Sequence, residues 1–249
     1  MTRPSLILPV LLATPAILLT ACGSMEPADQ PLASDVGPQL SSQAGGGATS
    51  LTLSASTVTA GAALTATVSA GSGAVVYLGF PRGVLAGPQF VRIPAGESSA
   101  TFALVASPYL TAPATVSVTA MTTTPNPSSF LATSLTVAPA AAPATPRLQV
   151  AAVALAPASV PSGATATATL TLTGPAPVGG AAVQVWIAND FFGLDAGAPA
   201  VVTVPAGAAS AAFPVPTHLS SGYGTVGETL VASHFGGVIQ GAVLTVVGP

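Results

Sequence analysis

Ala164-Thr165-Ala166-Thr167-Ala168-Thr169-Leu170-Thr171-Leu172-Thr173 alternates a small or apolar residue with threonine over ten positions. Successive side chains of a β-strand point to opposite faces, so this period of two puts alanine and leucine on one face and threonine on the other. That is the pattern of a strand half-buried in a sheet, built from a residue type that suits strands. Ala63 to Val68 alternates in the same way. Similar short runs recur every 8–15 residues with glycine or proline between them, and no segment shows sustained helical periodicity.

Beyond these two strands, the chain repeats itself. Leu51-Thr52-Leu53-Ser54-Ala55-Ser56-Thr57-Val58-Thr59-Ala60-Gly61 corresponds to Val153-Ala154-Leu155-Ala156-Pro157-Ala158-Ser159-Val160-Pro161-Ser162-Gly163 at an offset of 102. Val91-Arg92-Ile93-Pro94-Ala95-Gly96 and Ser99-Ala100-Thr101-Phe102 correspond to Val202-Thr203-Val204-Pro205-Ala206-Gly207 and Ser210-Ala211-Ala212-Phe213 at an offset of 111. Leu135-Thr136-Val137 corresponds to Leu244-Thr245-Val246. Landmarks recurring in one order mark two copies of a single domain. In each Pro-Ala-Gly, proline presets φ for position i+1 of a β-turn and glycine suits i+3, which predicts a hairpin between the flanking strands. Phe102 and Phe213 are predicted core residues. About seven strands in 90–100 residues point to a sandwich in each copy.

These landmarks resemble the immunoglobulin-like and Calx-beta-like β-sandwich repeats of bacterial secreted and surface proteins. The Val-x-Val-Pro-Ala-Gly-x-x-Ser-Ala-x-Phe segment carries the resemblance most strongly, joined in the second copy by Leu170-Thr171-Leu172-Thr173-Gly174-Pro175-Ala176-Pro177. It covers about 190 residues and implies spacer, adhesive or accessory modules, with no catalytic residue to carry over. The expected fold is all-β: two tandem immunoglobulin-like sandwiches, 49–138 and 149–249, joined by a Pro/Ala-rich linker at 139–148 whose spaced prolines favour extended geometry.

The N-terminus adds an address. Met1-Thr2-Arg3-Pro4-Ser5 supplies one positive charge, Leu6 to Leu19 an apolar run, and Leu19-Thr20-Ala21-Cys22 a small-residue cleavage site. This resembles the bacterial lipobox, which implies a signal peptide at 1–21 and acylation of Cys22, the one cysteine in the chain. Residues 23–48 contain Glu26, Pro27, Asp29, Pro31 and Gly45-Gly46-Gly47 but no aromatic, and read as a flexible tether. Two or three acyl chains hold a protein at a membrane essentially permanently. Gly23 favours the outer membrane, by resemblance to enterobacterial sorting. A single thiol excludes an internal disulfide.

Composition narrows the partners. Only 4% of the 249 residues are charged, against a usual ~25%. Arg82, Arg92 and Arg147 are the basic residues after Cys22, against seven acidic ones, a formal balance of −4 without a single lysine. Nucleic acid is excluded, because phosphate neutralisation needs clustered cations. Mean hydropathy of +0.73 invites a membrane-barrel reading. Aromatic girdles are missing, however, and a barrel would leave the internal repeat unexplained.

Candidates for chemistry are few, and no cofactor is expected. His218 and His234 are the two histidines, both expected to be exposed, and no motif singles out a serine to complete a Ser-His-Asp set. Asn189, Asp190 and Asp195 cluster in one predicted loop and form a weak calcium alternative, since hard cations take oxygen ligands. In Val183-Gln184-Val185-Trp186-Ile187, alternation sends Trp186 and Gln184 to the face opposite the aliphatics. Trp186, Phe191 and Phe192, with Asp190, are therefore the candidate surface for an envelope protein or polysaccharide. The competing expectation is that these rings cover a sandwich edge or pack between domains.

Overall fold

The computed structural model describes residues 47–122, 130–144, 146–188, 199–219 and 224–248. Cys22, Asn189, Asp190, Phe191, Phe192 and Asp195 lie outside them. The described residues form seventeen strands and no helix.

The first copy contains β1 (Ser50–Leu53), β2 (Thr57–Thr59), β3 (Ala63–Ser69), β4 (Val75–Gly79), β5 (Leu85–Ala86), β6 (Phe90–Arg92), β7 (Ser99–Ala106), β8 (Ala114–Thr122) and β9 (Phe130–Ala138). They make a sheet in the order β1-β3-β7-β5 and another in the order β2-β9-β8-β4-β6. The second copy contains β10 (Val150–Ala156), β11 (Ser159–Pro161), β12 (Thr165–Leu172), β13 (Ala181–Ile187), β14 (Val201–Val204), β15 (Ser210–Pro216), β16 (Thr225–Ser233) and β17 (Gln240–Val247). Its sheets run β10-β12-β15 and β11-β17-β16-β13-β14. Strand pairs are antiparallel except β2 with β9 and β11 with β17, which are parallel at the same place in each copy. Both copies exceed the expected seven strands because the opening strand divides between the two sheets, and the first copy adds the two-residue β5 beside β7.

The described residues form two tandem immunoglobulin-like sandwiches, and their interior follows the alternation. On β12, Ala166, Ala168, Leu170 and Leu172 are buried while Thr165, Thr167 and Thr169 face solvent. Phe213 stands opposite Ala168 and Phe102 opposite Ala66. All four are buried, each ring filling the volume its small partner leaves.

The Pro-Ala-Gly segments differ from expectation. β6 pairs with β4 and β7 with β3, so the turn passes from one sheet to the other and closes no hairpin. Its hydrogen bond runs from the Glu97 N–H to the Pro94 carbonyl (3.1 Å), placing proline at i and Gly96 at i+2 with φ +88°. The second copy repeats this, with the Ala208 N–H on the Pro205 carbonyl (3.0 Å) and Gly207 at φ +79°. Positive φ at i+2 alone belongs to a type II turn. Such a turn splays two strands where primed turns would keep them paired. Ile93 and Val204, just before the turns, are fully buried between the sheets they separate.

Candidate functional site at the junction of the sandwiches

On β13 the even and odd positions part company as expected. Val183 and Val185 enter the core of the second sandwich, and Ile187 packs against it. Gln184 and Trp186 point the other way, where they meet the first copy. The Gln184 side-chain amide donates to the Gly87 carbonyl (2.8 Å) and is buried. Trp186 is half-buried, with the Arg82 guanidinium carbon 4.7 Å from its ring centroid. Between these contacts lies a small apolar cluster of Ala86 from the first copy with Ala182 and Phe235 from the second. Val105 and Tyr109 on one side and Val201 on the other pack against it.

His234 corrects the expectation of exposure: it is fully buried in the turn after β16. Its Nδ1 lies 2.7 Å from the Ala182 carbonyl, which can only accept, so Nδ1 carries the proton. Nε2 is then the acceptor for the Tyr109 phenol at 2.8 Å, and the phenol oxygen accepts the Leu148 N–H at 3.1 Å. The chain of bonds is complete with a neutral imidazole. Burial holds the His234 pKa below its ordinary 6.5; the bond to Ala182 opposes that shift and the Arg147 cation adds to it. Burial likewise raises the Tyr109 pKa, against smaller lowering effects from the Leu148 N–H and Arg147.

The linker is tied into this junction. Arg147 donates to the Phe235 carbonyl (2.7 Å) and its guanidinium lies 5.6 Å from the Tyr109 ring centroid. Ala144 donates to the Pro108 carbonyl (3.0 Å), and Leu148 is buried in the second core. Phe235, buried at φ +44°, is the one non-glycine residue at positive φ among those described. Gly236 follows at φ +71°, and a Cβ there would stand 3.2 Å from the backbone of Gly83. Two backbones thus meet where an added Cβ would be strained by the positive φ and crowded by its neighbour.

Chemically this arrangement holds surfaces together. Both imidazole nitrogens of His234 are engaged by Ala182 and Tyr109, so neither serves a serine. His218 is exposed between β15 and β16. Among the described residues no three His, Cys, Asp or Glu side chains gather as a metal site would need, and no helix is long and apolar enough to cross a membrane. Tyr109, Arg147, Phe235 and Gly236 escaped the sequence reading. The one local sign of them was the Phe235-Gly236-Gly237 turn.

No family model matches the chain, and no curated protein is similar to it in sequence. Solved structures similar to it include the D00-D0 domain of intimin, at 12% identity and a TM-score of 0.28 over 78% of this chain and 98% of that one. The Escherichia coli adhesin FdeC is similar at 15% identity and 0.29, over 80% of this chain and 64% of that one. The calcium-binding domain CBD12 of CALX1.1 is similar at 9% and 0.27, over 74% and 80%. Likeness at this level carries no inference about the role of this chain.

Proposed function

We propose that this chain is a non-catalytic cell-envelope protein, anchored by acyl chains on Cys22 and presenting two joined immunoglobulin-like sandwiches as a structural, adhesive or interaction module. The observation that carries this reading is the junction. Its histidine, tyrosine, arginine and glutamine side chains, the groups best suited to chemistry, are used up in fastening one sandwich to the other. A module that transmits force or displays a surface needs that fastening. The leader ending in Leu19-Thr20-Ala21-Cys22 supports the anchor, with Gly23 favouring the outer membrane.

Substituting Cys22→Ser should abolish labelling by radioactive fatty acid and leave a longer, uncleaved precursor. Retained labelling would refute the anchor. The rival reading, a polysaccharide docked on the aromatic segment of the second copy, would have to use a Trp186 ring already approached by Arg82. Equal affinity of wild type and Trp186→Ala for envelope polysaccharides would remove that rival, and a loss confined to the variant would establish it.

A further inference from the structure

The outward face of the β2-β9-β8-β4-β6 sheet carries four large apolar side chains in one cross-strand row. Phe90 on β6 pairs with Tyr77 on β4, Tyr77 with Met121 on β8, and Met121 with Phe130 on β9. Their exposures are 44, 43, 43 and 66%, in that order. Taking about 200 Å² for each side chain, the row presents roughly 400 Å² of contiguous apolar surface, the scale at which such patches mark interaction sites. The Tyr77 and Phe90 rings lie 6.3 Å apart, so the band is continuous at its edge.

In the second copy the corresponding face is an interdomain contact. At the offset of 111 that aligns the two turns, Phe90 corresponds to Val201. Val201 pairs with Gln184 as Phe90 pairs with Tyr77, and Gln184 pairs with Ser233 as Tyr77 pairs with Met121. The corresponding row, Val201, Gln184 and Ser233, is the one the first sandwich covers. Gln184 and Ser233 are each 2% exposed. Gly87 receives the Gln184 amide, and Ala86, Val105 and Tyr109 share the cluster against which Val201 packs. Among the described residues the first copy's row has no sandwich seated on it.

We infer that the row formed by Phe90, Tyr77, Met121 and Phe130 seats the second sandwich of another copy of this chain, the contact end of each first sandwich being already engaged within its own chain. The inference rests on the reading of the chain as an interaction module and is independent of its anchor. The row itself bears no charge, and a balance of −4 spread over the residues after Cys22 opposes self-association only weakly. The row forms the dry centre such an interface needs, with Arg92 and Thr119 beside it on the same face as part of the rim.

Two measurements on the full chain in detergent test this. Sedimentation should show concentration-dependent self-association, and the double variant Tyr77→Ser/Phe130→Ser should raise the dissociation constant about tenfold or more with an unchanged melting temperature. Replacing Phe130 by p-benzoylphenylalanine and irradiating intact cells should yield a covalent product containing two copies of this chain. A wild type that stays monomeric at the highest attainable concentration would overturn the inference. So would crosslinks formed only to another protein or to polysaccharide. Association through the row does not require acylation and should persist in sedimentation of unacylated chain, so loss of the Cys22 anchor would leave the inference standing.

Discussion

His234 is kept neutral by its burial and by the nearby Arg147 cation, which together outweigh the raising effect of the Ala182 carbonyl on Nδ1, while Nε2 accepts the Tyr109 phenol. The unfolded chain takes up the imidazole proton near pH 6.5, and the folded chain only at lower pH. Between those two values the unfolded state holds more protons, so stability rises with pH there and is lost as pH falls below 6.5. Urea denaturation should show that acid loss in wild type and a smaller one in His234→Gln; equal acid sensitivity of the two would contradict the assignment. Tyr109→Phe removes the phenol from both its partners, leaving His234 Nε2 without a donor and the Leu148 N–H without an acceptor. The expected cost is about 1–3 kcal/mol for each buried group so orphaned, read from the same denaturation curves. None of this was legible locally. The partners of His234 stand 125 and 52 residues away, and a lone histidine beside a Gly-Gly turn reads as a surface residue until those partners are in place.

Strands β3, β12 and β13, by contrast, were legible almost residue by residue. Alternation of threonine with alanine or leucine is a property of four or five neighbours, and a strand buried on one face obeys it. Phe102 and Phe213 were recognisable as core for the same reason. Truncating either to alanine should cost ~3–5 kcal/mol, because the small residues opposite cannot close the cavity. A wild-type urea midpoint would count against the packing described. The turns between strands were half legible. Pro-Ala-Gly announces a β-turn, yet whether the chain returns to the same sheet depends on pairings with β3 and β4, which the local sequence does not record. Because Gly96 and Gly207 adopt φ +88° and +79° with no atom within 4 Å of an added Cβ, Gly96→Ala or Gly207→Ala should cost only the left-handed strain, about 1–2 kcal/mol. A larger loss would point to contacts that the geometry lacks.

For the molecule, the repeat explains both the likeness and the difference between the copies. Each sandwich has the same outward row on its five-stranded sheet. In the second copy that row is polar and small and lies under the first sandwich, while in the first copy it is aromatic and open. The sequence showed which face of β13 Gln184 and Trp186 occupy, but a face becomes an interface only when something is brought to it. Gly236 lies against the Gly83 backbone across that interface, so Gly236→Val should weaken the junction without entering either core. Solvent protection of the Gln184 side-chain amide, followed by proton exchange, should fall in the variant. The central claim is that the two sandwiches are fastened face to segment as a single body. Residual dipolar couplings from backbone amides of both sandwiches test it most directly: one alignment tensor should fit all of them, whereas two tensors of different magnitude would show that the sandwiches move independently and that the junction does not hold.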